Sequence, residues 1–363
     1  MKKHIILLCS LIAAHLSSQT APSSTENYIY STTCLTADCV KKSETIQYFD
    51  GLGRPKQVVS VKASPLGNDI AVPVEYDGFG RQVRDYLPVP QQGSSNGAIY
   101  GTPLANVTST PYGSEKIYSE KVLENSPLDR IQQQIQVGNA WSSKPVAFGY
   151  HTNAANEVKK YTFSTTWSDN ATSSSVPASG TYEANTLYKN TITDEDGNVS
   201  IEFRNGEGQT LLVRKINGQD IPANYIDTYY VYNEYNQLAF VLSPEAAAKA
   251  ALTQSDLDEL CYQYRYDGRN RLVEKKLPGK GWEYMVYDKQ DRLIMTQDAK
   301  MKNDGGKWLY TKYDQFGRVV YTGISTIGGW YSRIQVQSSA EIYNGLNETR
   351  NTTGFSSNNM QVY

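Results

Sequence analysis

Apolar and polar residues alternate over several short stretches of the chain. Two clear examples are residues 262–266, with the sequence Tyr-Gln-Tyr-Arg-Tyr, and residues 282–287, with the sequence Trp-Glu-Tyr-Met-Val-Tyr. A period of two with aromatic and β-branched residues is typical of half-buried β-strands. We therefore expect a mainly β protein in which one face of each strand packs against a core.

A six-residue string follows many of these stretches. Residues 76–81 have the sequence Tyr-Asp-Gly-Phe-Gly-Arg, and residues 49–54 and 313–318 are close copies. Looser copies begin at Thr193, Arg204, Tyr232, Tyr266 and Tyr287. In every copy the second residue is Asp or Asn, the fifth is Gly, Asn or Asp, and the sixth is Arg, Gln or Asn. Such recurrence indicates a repeat architecture.

The string has the chemistry of a tight turn. Asp or Asn favours the first corner of a type I turn, because its short side chain bonds backbone N–H groups ahead of it. The fifth residue needs a left-handed backbone, which Gly adopts without a clash and which Asn and Asp tolerate. Each copy therefore predicts a β-hairpin, and the hairpins must stack or spiral because one alone cannot bury its apolar face. The predicted turn residues are Asp50, Gly53, Asp77, Gly80, Asp194, Gly197, Asp267, Asp288, Asp314 and Gly317.

One short α-helix is expected within this β pattern. Ser243 can cap it, Pro244 suits its first position, and residues 245–252 are rich in alanine. A further helical turn is expected from Ser255 through Leu260 and Cys261. We expect the helix to pack on the sheet or to close one end of it.

The N-terminus has the composition of a secretory signal peptide. Two lysines precede a short apolar stretch, and two serines then offer small residues for cleavage. The stretch is too short to cross a membrane, so we expect residues 1–18 to be removed and the mature chain to carry no membrane span. Two alternatives are a core segment of the fold and a lipoprotein site at Cys9, which the bulky Leu8 before it disfavours.

Three cysteines remain after this segment is removed. Cys34 and Cys39 lie close together, and export permits oxidation, so the pair predicts a local disulfide. Zinc binding by this pair would need a second Cys or His pair, which does not accompany it. Cys261 follows the helical segment and is expected to be a small buried apolar residue.

Composition agrees with a folded, exported protein. Hydrophobic residues make up 39% of the 363 residues and charged residues 20%, which is typical of globular chains. Tyr occurs 28 times and Phe 8 times, and tyrosine suits a sheet that buries rings while the hydroxyl groups stay in water. Without Lys2 and Lys3 the chain carries 33 basic and 37 acidic residues. This balance does not indicate a nucleic-acid partner or an anionic membrane surface.

The distribution of the turn strings sets the expected domain organisation. We expect an N-terminal β-rich domain over residues 26–190, a repeat region over residues 191–325 and a polar tail over residues 326–363. Residues 90–110 and 169–180 are expected to be loops because they are rich in small polar residues. The tail ends without a capping element, so we expect the chain to be a piece of a longer protein.

The residues offer little catalytic chemistry. His151 is the one histidine outside the N-terminal segment, and no serine lies in a Gly-x-Ser-x-Gly elbow. Residues 194–198 resemble the start of a calcium loop but lack its distal glutamate, and Asp-Gly between strands favours a hairpin. We therefore expect no catalytic residue, no cofactor and no metal.

The strings resemble the YD repeats of RHS proteins, which occur also in teneurins and in the B–C components of insecticidal toxin complexes. Residues 118–130, 193–198 and 277–281 further resemble the N-terminal domain of unknown function that opens exported RHS-like proteins of Bacteroidetes-type bacteria. Together these similarities cover most of residues 26–323.

The resemblance implies a shell-like β-sheet. In that family the repeats wind into a hollow shell, and in many members the shell encloses a C-terminal toxin that is released after self-cleavage. No core motif for cleavage and no toxin-like end is present in this sequence. The resemblance therefore implies a non-enzymatic structural module of a polymorphic-toxin-like protein, exported from a Gram-negative bacterium to the cell surface or medium. Its expected partners are the remainder of a longer RHS-type chain or its toxin cargo.

Two other functions stay open. Exposed tyrosine and tryptophan rows could stack on sugar rings, which would make the protein a carbohydrate-binding adhesin with cell-surface glycans as partners. The same rings could instead hold the sheet together through cross-strand pairs. A glycosidase would need a close pair of carboxylates in a cleft, and sequence cannot show such a distance.

Overall fold

The computed structural model describes residues 21–93, 95–326, 331–351 and 354–355. The predicted signal peptide, residues 1–18, lies outside this part of the chain.

The chain folds as two compact units. One comprises the described residues up to Phe148 together with Asp194–Asp196, and the other comprises Gly149–Thr193 together with the described residues from Gly197 onward. The sequence-based boundaries at residues 190/191 and 325/326 mark changes in repeat density and stay predictions.

Two antiparallel groups of strands form the first unit. Its strands are β1 (Asn27–Cys34), β2 (Lys42–Phe49), β3 (Pro55–Ser60), β4 (Ile70–Pro73), β5 (Arg84–Tyr86), β6 (Val89–Pro90), β7 (Tyr118–Leu123), β8 (Ile131–Ile135) and the beginning of β9 (Val146–Thr152). One group has the order β1-β2-β3-β4-β6, and the other has the order β5-β7-β8-β9. Alternate residues of the first group face inward, and Ile46, Tyr48, Val59 and Ala71 form its buried core.

The second unit is built on a long antiparallel meander. Its strands are β10 (Lys159–Thr162), β11 (Thr165–Ser168), β12 (Ala171–Ser174), β13 (Ala178–Thr181), β14 (Tyr188–Thr193), β15 (Val199–Arg204), β16 (Thr210–Ile216), β17 (Tyr225–Tyr232), β18 (Leu238–Leu242), β19 (Cys261–Tyr266), β20 (Leu272–Lys276), β21 (Trp282–Tyr287), β22 (Leu293–Gln297), β23 (Trp308–Tyr313), β24 (Val319–Ser325), β25 (Arg350–Asn351) and β26 (Gly354–Phe355). From β14 to β24 each strand pairs with the next one along the chain. The pairs β10–β13, β11–β12 and β25–β26 form separate two-stranded sheets. The expected mainly β fold is confirmed.

Two apolar clusters lie within the second unit. The larger one includes Phe203, Leu212, Phe240, Leu242 and Leu257, and the smaller one includes Val286, Ile294, Met295, Trp308, Val336 and Ala340. The strand alternation does not always bury tyrosines. In β19 Tyr262 is exposed, whereas the Gln263 side chain is buried and donates to the carbonyl of Leu257.

The described residues contain four short helices: α1 (Pro244–Ala248), α2 (Gln254–Leu260), α3 (Ala299–Asn303) and α4 (Arg333–Ile342). The first two occupy the predicted helical segment, and the Ser243 hydroxyl accepts a hydrogen bond from the amide of Ala246 as expected of a cap. None of the helices in the described part of the chain combines the length and the apolar character needed to cross a membrane.

Helix α1 is shorter than predicted. The alanine run was expected to stay helical to Leu252, but Lys249 already has an extended backbone. The Lys159 ammonium donates to the carbonyls of Ala247 and Lys249, at 2.5 and 3.0 Å, and so satisfies acceptors that a longer helix would have used.

The expectation of a loop over residues 169–180 is wrong. Strands β12 and β13 lie there, and Ala171 and Thr172 are each only 1% exposed. Asp169 and Asn170 both have left-handed backbones, with φ of +52° and +53°. Two consecutive residues of this kind form the tight corner of a two-residue hairpin. The Asp-Asn pair therefore indicated a hairpin, whereas the serine-rich composition had indicated a loop.

Candidate functional site

The repeated turn is the most strongly patterned feature of the described residues. In the copy at residues 76–81, the amide of Gly80 donates to the carbonyl of Asp77, and the amide of Asp77 donates to the carbonyl of Arg81. One carboxylate oxygen of Asp77 accepts from the amides of Phe79 and Arg81, at 2.9 and 3.0 Å. The Asp side chain therefore organises the corner, as its short acceptor predicts. The hairpin predicted at this copy is wrong, however, because β4 before the corner pairs with β3 and β6 while β5 after it pairs with β7.

The fifth residue of every copy has a left-handed backbone. The values of φ are +77° at Gly53, +79° at Gly80, +86° at Gly197, +82° at Gly208, +60° at Asn236, +62° at Asn270, +60° at Asp291 and +75° at Gly317. Gly, Asn and Asp share these positions because they tolerate that conformation best.

The sixth residue closes the turn through its side chain, a role that sequence reasoning missed. In the same copy, the Nε and Nη2 of Arg81 both donate to the second carboxylate oxygen of Asp77, each at 2.8 Å. Equivalent pairs join Asp50 to Arg54, Asp267 to Arg271, Asp288 to Arg292 and Asp314 to Arg318. A charged donor and a charged acceptor thus tie the two sides of each corner together.

Copies with Asn at the second position use a neutral version of this pair. The side-chain amide of Asn205 donates to Gln209 at 2.7 Å, and that of Asn233 donates to Gln237 at 2.9 Å. Asp stands with Arg in five copies and Asn stands with Gln in two, and each of these pairs matches donors to acceptors, whereas Asp194 stands with Asn198 in the copy at residues 193–198. This correlation is visible in the printed sequence and was the signal that could have predicted the pairing.

A further copy lies where no string was recognised, between β7 and β8. The Nε and Nη2 of Arg130 donate to the two carboxylate oxygens of Glu124, at 2.9 and 2.8 Å. Asp129 takes the left-handed position, with φ of +49°. The longer Glu side chain spans a longer corner. The carboxylate–guanidinium pair is therefore kept, but the two residues are six apart in the sequence and not four as in the string.

Four copies are joined to the preceding copy by a tyrosine hydroxyl group. The hydroxyl of Tyr287 donates to the carbonyl of Leu272 at 2.7 Å, and that of Tyr313 donates to the carbonyl of Leu293 at 2.8 Å. In both cases the first residue of one copy bonds the residue that follows the preceding copy. The same bond runs from Tyr266 to Leu238 and from Tyr76 to Pro55.

The turn arginine also reaches the next copy. The guanidinium carbon lies 4.3 Å from the ring centre of Tyr76 for Arg54, 4.9 Å from that of Tyr287 for Arg271, and 4.8 Å from that of Tyr313 for Arg292. These distances are those of cation–π contacts. We call the tyrosine hydroxyl bond together with this stacking the joint between two copies.

The acidic groups of several corners have lowered pKa values. Hydrogen bonds from the backbone of Arg54 and Arg81 lower the pKa of Asp50 and Asp77, respectively. Hydrogen bonds from the Arg130 and Ser126 side chains lower the pKa of Glu124 to about 2. These contacts favour the charged form of Asp50, Asp77 and Glu124.

In three copies the backbone of the first residue forms a hydrogen bond with a residue outside the repeat. That residue belongs to a different segment each time. The amide of Tyr266 donates to the Thr172 hydroxyl, at 2.9 Å. The side-chain amide of Gln337 on α4 bonds both the N–H and the carbonyl of Tyr287, at 3.0 and 2.8 Å. The carbonyl of Tyr313 accepts from the amide of Glu348, at 2.8 Å. The meander is thus held at its turn side by segments that come from elsewhere in the second unit.

One cavity beside this region contains a buried ion pair. Glu274 accepts from the Nε of Arg333 at 2.8 Å and from Arg265 at 3.1 Å, and Glu274 and Arg333 are 6% and 5% exposed. The cavity has a volume of about 260 Å³, and Asp169 also lines it. Because both oxygens of Glu274 are bonded to guanidinium groups, the arrangement stabilises α4 on the sheet rather than presenting an acid or a base.

His151 lies apart from these turns, whereas Asp194 belongs to the copy at residues 193–198. His151 is exposed in β9, and the carboxylate of Asp194 accepts from the amide of Asp196 at 3.0 Å. Within the described residues, no group of three or more His, Cys, Asp or Glu side chains could hold a metal ion.

The cysteines have two different environments. Cys34 and Cys39 form a disulfide at the tip of the β1–β2 hairpin, with their Cα atoms 4.7 Å apart. Cys261 is a buried free thiol, and its burial raises its pKa to about 11.

Comparison with protein families gives one match. Residues 22–153 match the model of a family described as "Domain of unknown function (DUF6443)". No curated protein sequence matches the chain.

Comparison with solved structures gives matches over most of the chain. The TcdB2-TccC3-TEV crystal structure is 13% identical, with a TM-score of 0.50, and the match covers 83% of this chain and 13% of that one. TcdB2-TccC3 without its hypervariable C-terminal region is 12% identical, with a TM-score of 0.50 and the same coverage of both chains. The present chain therefore spans a small part of their length. At this identity the similarity concerns the fold alone.

Proposed function

We propose that this chain is a non-enzymatic structural module of an exported RHS-type protein and that it forms part of the wall of a β-shell. The observation that carries the proposal is the joint, which recurs at Arg54–Tyr76, Arg271–Tyr287 and Arg292–Tyr313 and connects two consecutive copies each time. The similarity of the fold to TcdB2-TccC3 supports the same role.

A structure built from such joints suits a wall. The Tyr287 and Tyr313 hydroxyl groups each bond to the preceding hairpin, so these hairpins are coupled to their nearest neighbours. The sheet can then extend by adding hairpins without enlarging one central core. This is the property that an enclosing shell requires.

The wall would enclose cargo or mediate contact at the cell surface. The apolar N-terminal stretch supports export, and an oxidised Cys34–Cys39 pair agrees with an oxidising compartment. The expected partner is a toxin segment or the remainder of a longer RHS-type chain. The YD-repeat assignment and the Bacteroidetes-type origin are parts of this proposal.

Affinity purification of the natural protein from its source bacterium tests the proposal. We expect electron microscopy to show a hollow β-shell and limited proteolysis to leave an enclosed segment intact. A solid particle without a lumen, whose segments are all cleaved at similar rates, would contradict it. Recovery of the tagged protein from the cytoplasmic fraction alone would contradict export.

A second candidate is a carbohydrate-binding adhesin. Trp167 and Tyr235 are each 48% exposed, and their ring centres lie 5.8 Å apart. The indole N–H donates to the Tyr235 hydroxyl at 3.2 Å, which fixes both rings as a small aromatic surface. Glycan-array binding that is lost in Trp167→Ala but kept in the matched exposed variant Trp141→Ala would favour this function.

A further inference from the structure

Two pairs of consecutive copies contact each other through the sixth residue of the first copy. The side-chain amide of Gln237 donates to Asn270 at 2.8 Å, and the Nη1 of Arg271 donates to Asp291 at 2.7 Å. Asn270 and Asp291 are each the fifth residue of the following copy. The tyrosine that opens the following copy adds its hydroxyl bond to the preceding hairpin. Two contacts therefore close the space between the corners of each pair.

The copies at residues 204–209 and 232–237 lack both contacts. The equivalent bonds would join the Gln209 side chain to Asn236, and the Tyr232 hydroxyl to the carbonyl of the residue after Gln209. Within the described residues, neither the side-chain N–H groups of Gln209 nor the hydroxyl of Tyr232 donates a hydrogen bond. A cavity of about 200 Å³ is lined by residues of both corners. The cavity therefore lies where these two contacts are missing.

Tyrosine side chains line this cavity. Tyr161 packs edge-to-face on Tyr229, with ring centres 5.1 Å apart, and Tyr161, Tyr182 and Tyr232 all pack against the larger apolar cluster. In the part of the chain that the structure describes, the Tyr161 and Tyr182 hydroxyl groups form no hydrogen bond. Burial raises the pKa of Tyr161, Tyr182 and Tyr232, so their hydroxyl groups stay protonated and can both donate and accept. The rings are thus fixed by packing while the hydroxyl groups keep their hydrogen-bonding capacity.

The charges around the cavity disfavour a charged ligand. Both corners use the neutral Asn–Gln pair in place of the Asp–Arg pair. The ammonium of Lys159, a lining residue, already donates to the carbonyls of Ala247 and Lys249. An anion would therefore lack an available cation here and would face the exposed lining residue Glu207. A quaternary ammonium ion could not pair with the hydroxyl and amide groups, because it has no hydrogen to donate and no lone pair to accept with.

We propose that this cavity binds one uncharged sugar ring. The hydroxyl groups of a sugar both donate and accept, which matches the tyrosine hydroxyl groups and the side-chain amides of Gln209 and Asn236. A volume of about 200 Å³ is below the roughly 300–1,000 Å³ of sites for drug-sized ligands, so it suits a single ring. Trp167 and Tyr235 do not line the cavity, so this site is separate from their aromatic surface. The inference also goes beyond the structural role and does not depend on it.

Binding of small uncharged sugars to the full chain tests this proposal. The probes are the methyl glycosides of glucose, galactose, mannose and N-acetylglucosamine, and binding is measured by ligand-detected NMR and by titration calorimetry. We expect saturable binding of at least one probe. Tyr232→Phe should weaken that binding roughly fivefold, because it removes one hydrogen bond to the sugar. Tyr188→Phe is the matched control and should bind as the unmodified chain does, since Tyr188 is exposed and does not line the cavity.

A double variant should close the cavity from within. Asn205→Asp together with Gln209→Arg recreates the charged pair of the other corners, and the new guanidinium would face Tyr232 as Arg271 faces Tyr287. We expect this variant to unfold at a temperature similar to that of the unmodified chain and to lose sugar binding. Tyr232→Phe keeps its ring, so it tests the hydroxyl group even where the double variant does not fold.

Three results would overturn the proposal: no saturable binding of any probe, equal binding by Tyr232→Phe, or unchanged binding by a folded double variant. Binding that is lost in Trp167→Ala but kept in the double variant would place the sugar on the aromatic surface and also overturn it. Tighter binding of glucuronate or choline than of the methyl glycosides would assign the cavity to a charged ligand instead. A shell that binds no sugar would still support the structural role, and sugar binding by a chain that forms no shell would leave this inference intact.

Discussion

Arg292 donates two hydrogen bonds to one carboxylate oxygen of Asp288, each 2.7 Å long, and Asp288 is only 1% exposed. The other oxygen accepts from the amides of Gln290 and Arg292. A single buried carboxylate thus fixes both the corner and the arginine. We expect Asp288→Ala to lower the free energy of unfolding by about 3 kcal/mol, because it leaves buried donors unpaired. Urea denaturation measures this.

The Asn–Gln copies provide a direct test of pairing at this corner. Asp288→Asn and Arg292→Gln should each destabilise, and the double variant should lose less than the sum of the two losses, because it recreates the pair seen at Asn233 and Gln237. We expect a coupling of about 1 kcal/mol. Additive losses would show that the two side chains act independently.

The left-handed fifth position predicts a selective response at Gly317. Its φ is +75°, and a Cβ atom added there would meet nothing within 4 Å. Gly317→Val should therefore destabilise through backbone strain alone, by about 1–2 kcal/mol. Gly317→Asn should cost less than about 0.5 kcal/mol, since Asn tolerates this conformation. Thermal unfolding compares the two, and equal losses would contradict the assignment of the turn.

The joint predicts a cost for removing one hydroxyl group. Tyr287→Phe keeps the ring beside Arg271 but loses the bond to the carbonyl of Leu272. We expect a loss of about 1 kcal/mol in chemical denaturation. Tyr188→Phe is the control, because Tyr188 is 61% exposed. Equal stability of Tyr287→Phe and Tyr188→Phe would show that the Tyr287 hydroxyl does not stabilise the joint.

Acid should weaken the β7–β8 corner. The pKa of Glu124 is lowered from 4.5 to about 2 by its bonds with Arg130 and Ser126. A lowered folded-state pKa means that the stabilisation is complete above the unfolded pKa and is lost as the pH falls through the folded pKa. Melting temperature should therefore fall between about pH 4.5 and pH 2, and the fall should be smaller in Glu124→Gln. An unchanged pH profile in this variant would contradict the ion pair.

Counting the reactive thiols tests whether Cys34 and Cys39 form a disulfide and whether Cys261 is buried. The secreted chain, if cleaved as expected, should show no reactive thiol when native, because Cys261 is buried and its raised pKa, about 11, keeps it protonated. After denaturation without reductant one thiol should react, and after reduction three should react. Three reactive thiols before reduction would exclude the Cys34–Cys39 disulfide.

The β class and the corners were accessible from sequence because their requirements are local. Gly80 and Asp77 satisfy a turn whose constraints lie within a few residues. The Glu124 corner was missed because one longer side chain changes the spacing. The co-occurrence of Asp with Arg is visible in the string, but the hydrogen bonds between the two side chains are seen only in the folded turn.

The rest depends on distant contacts. Helix α4 was not expected in a polar tail, since its sequence carries few apolar residues. It is held by the Arg333–Glu274 ion pair and by the Gln337 amide on the Tyr287 backbone. These partners lie 59 and 50 residues away along the chain. Helix propensity alone could not reveal them.

The hydrogen bond from a tyrosine hydroxyl to the preceding hairpin has an evolutionary consequence. Because the Tyr313 side chain contacts Leu293 and Arg292 of the preceding hairpin, a duplicated hairpin carries the partners that the tyrosine side chain of the next hairpin uses. Gene segments encoding whole hairpins can therefore be gained or lost while the neighbouring ones keep their shape. Lineages of such proteins should differ in length by whole numbers of hairpins.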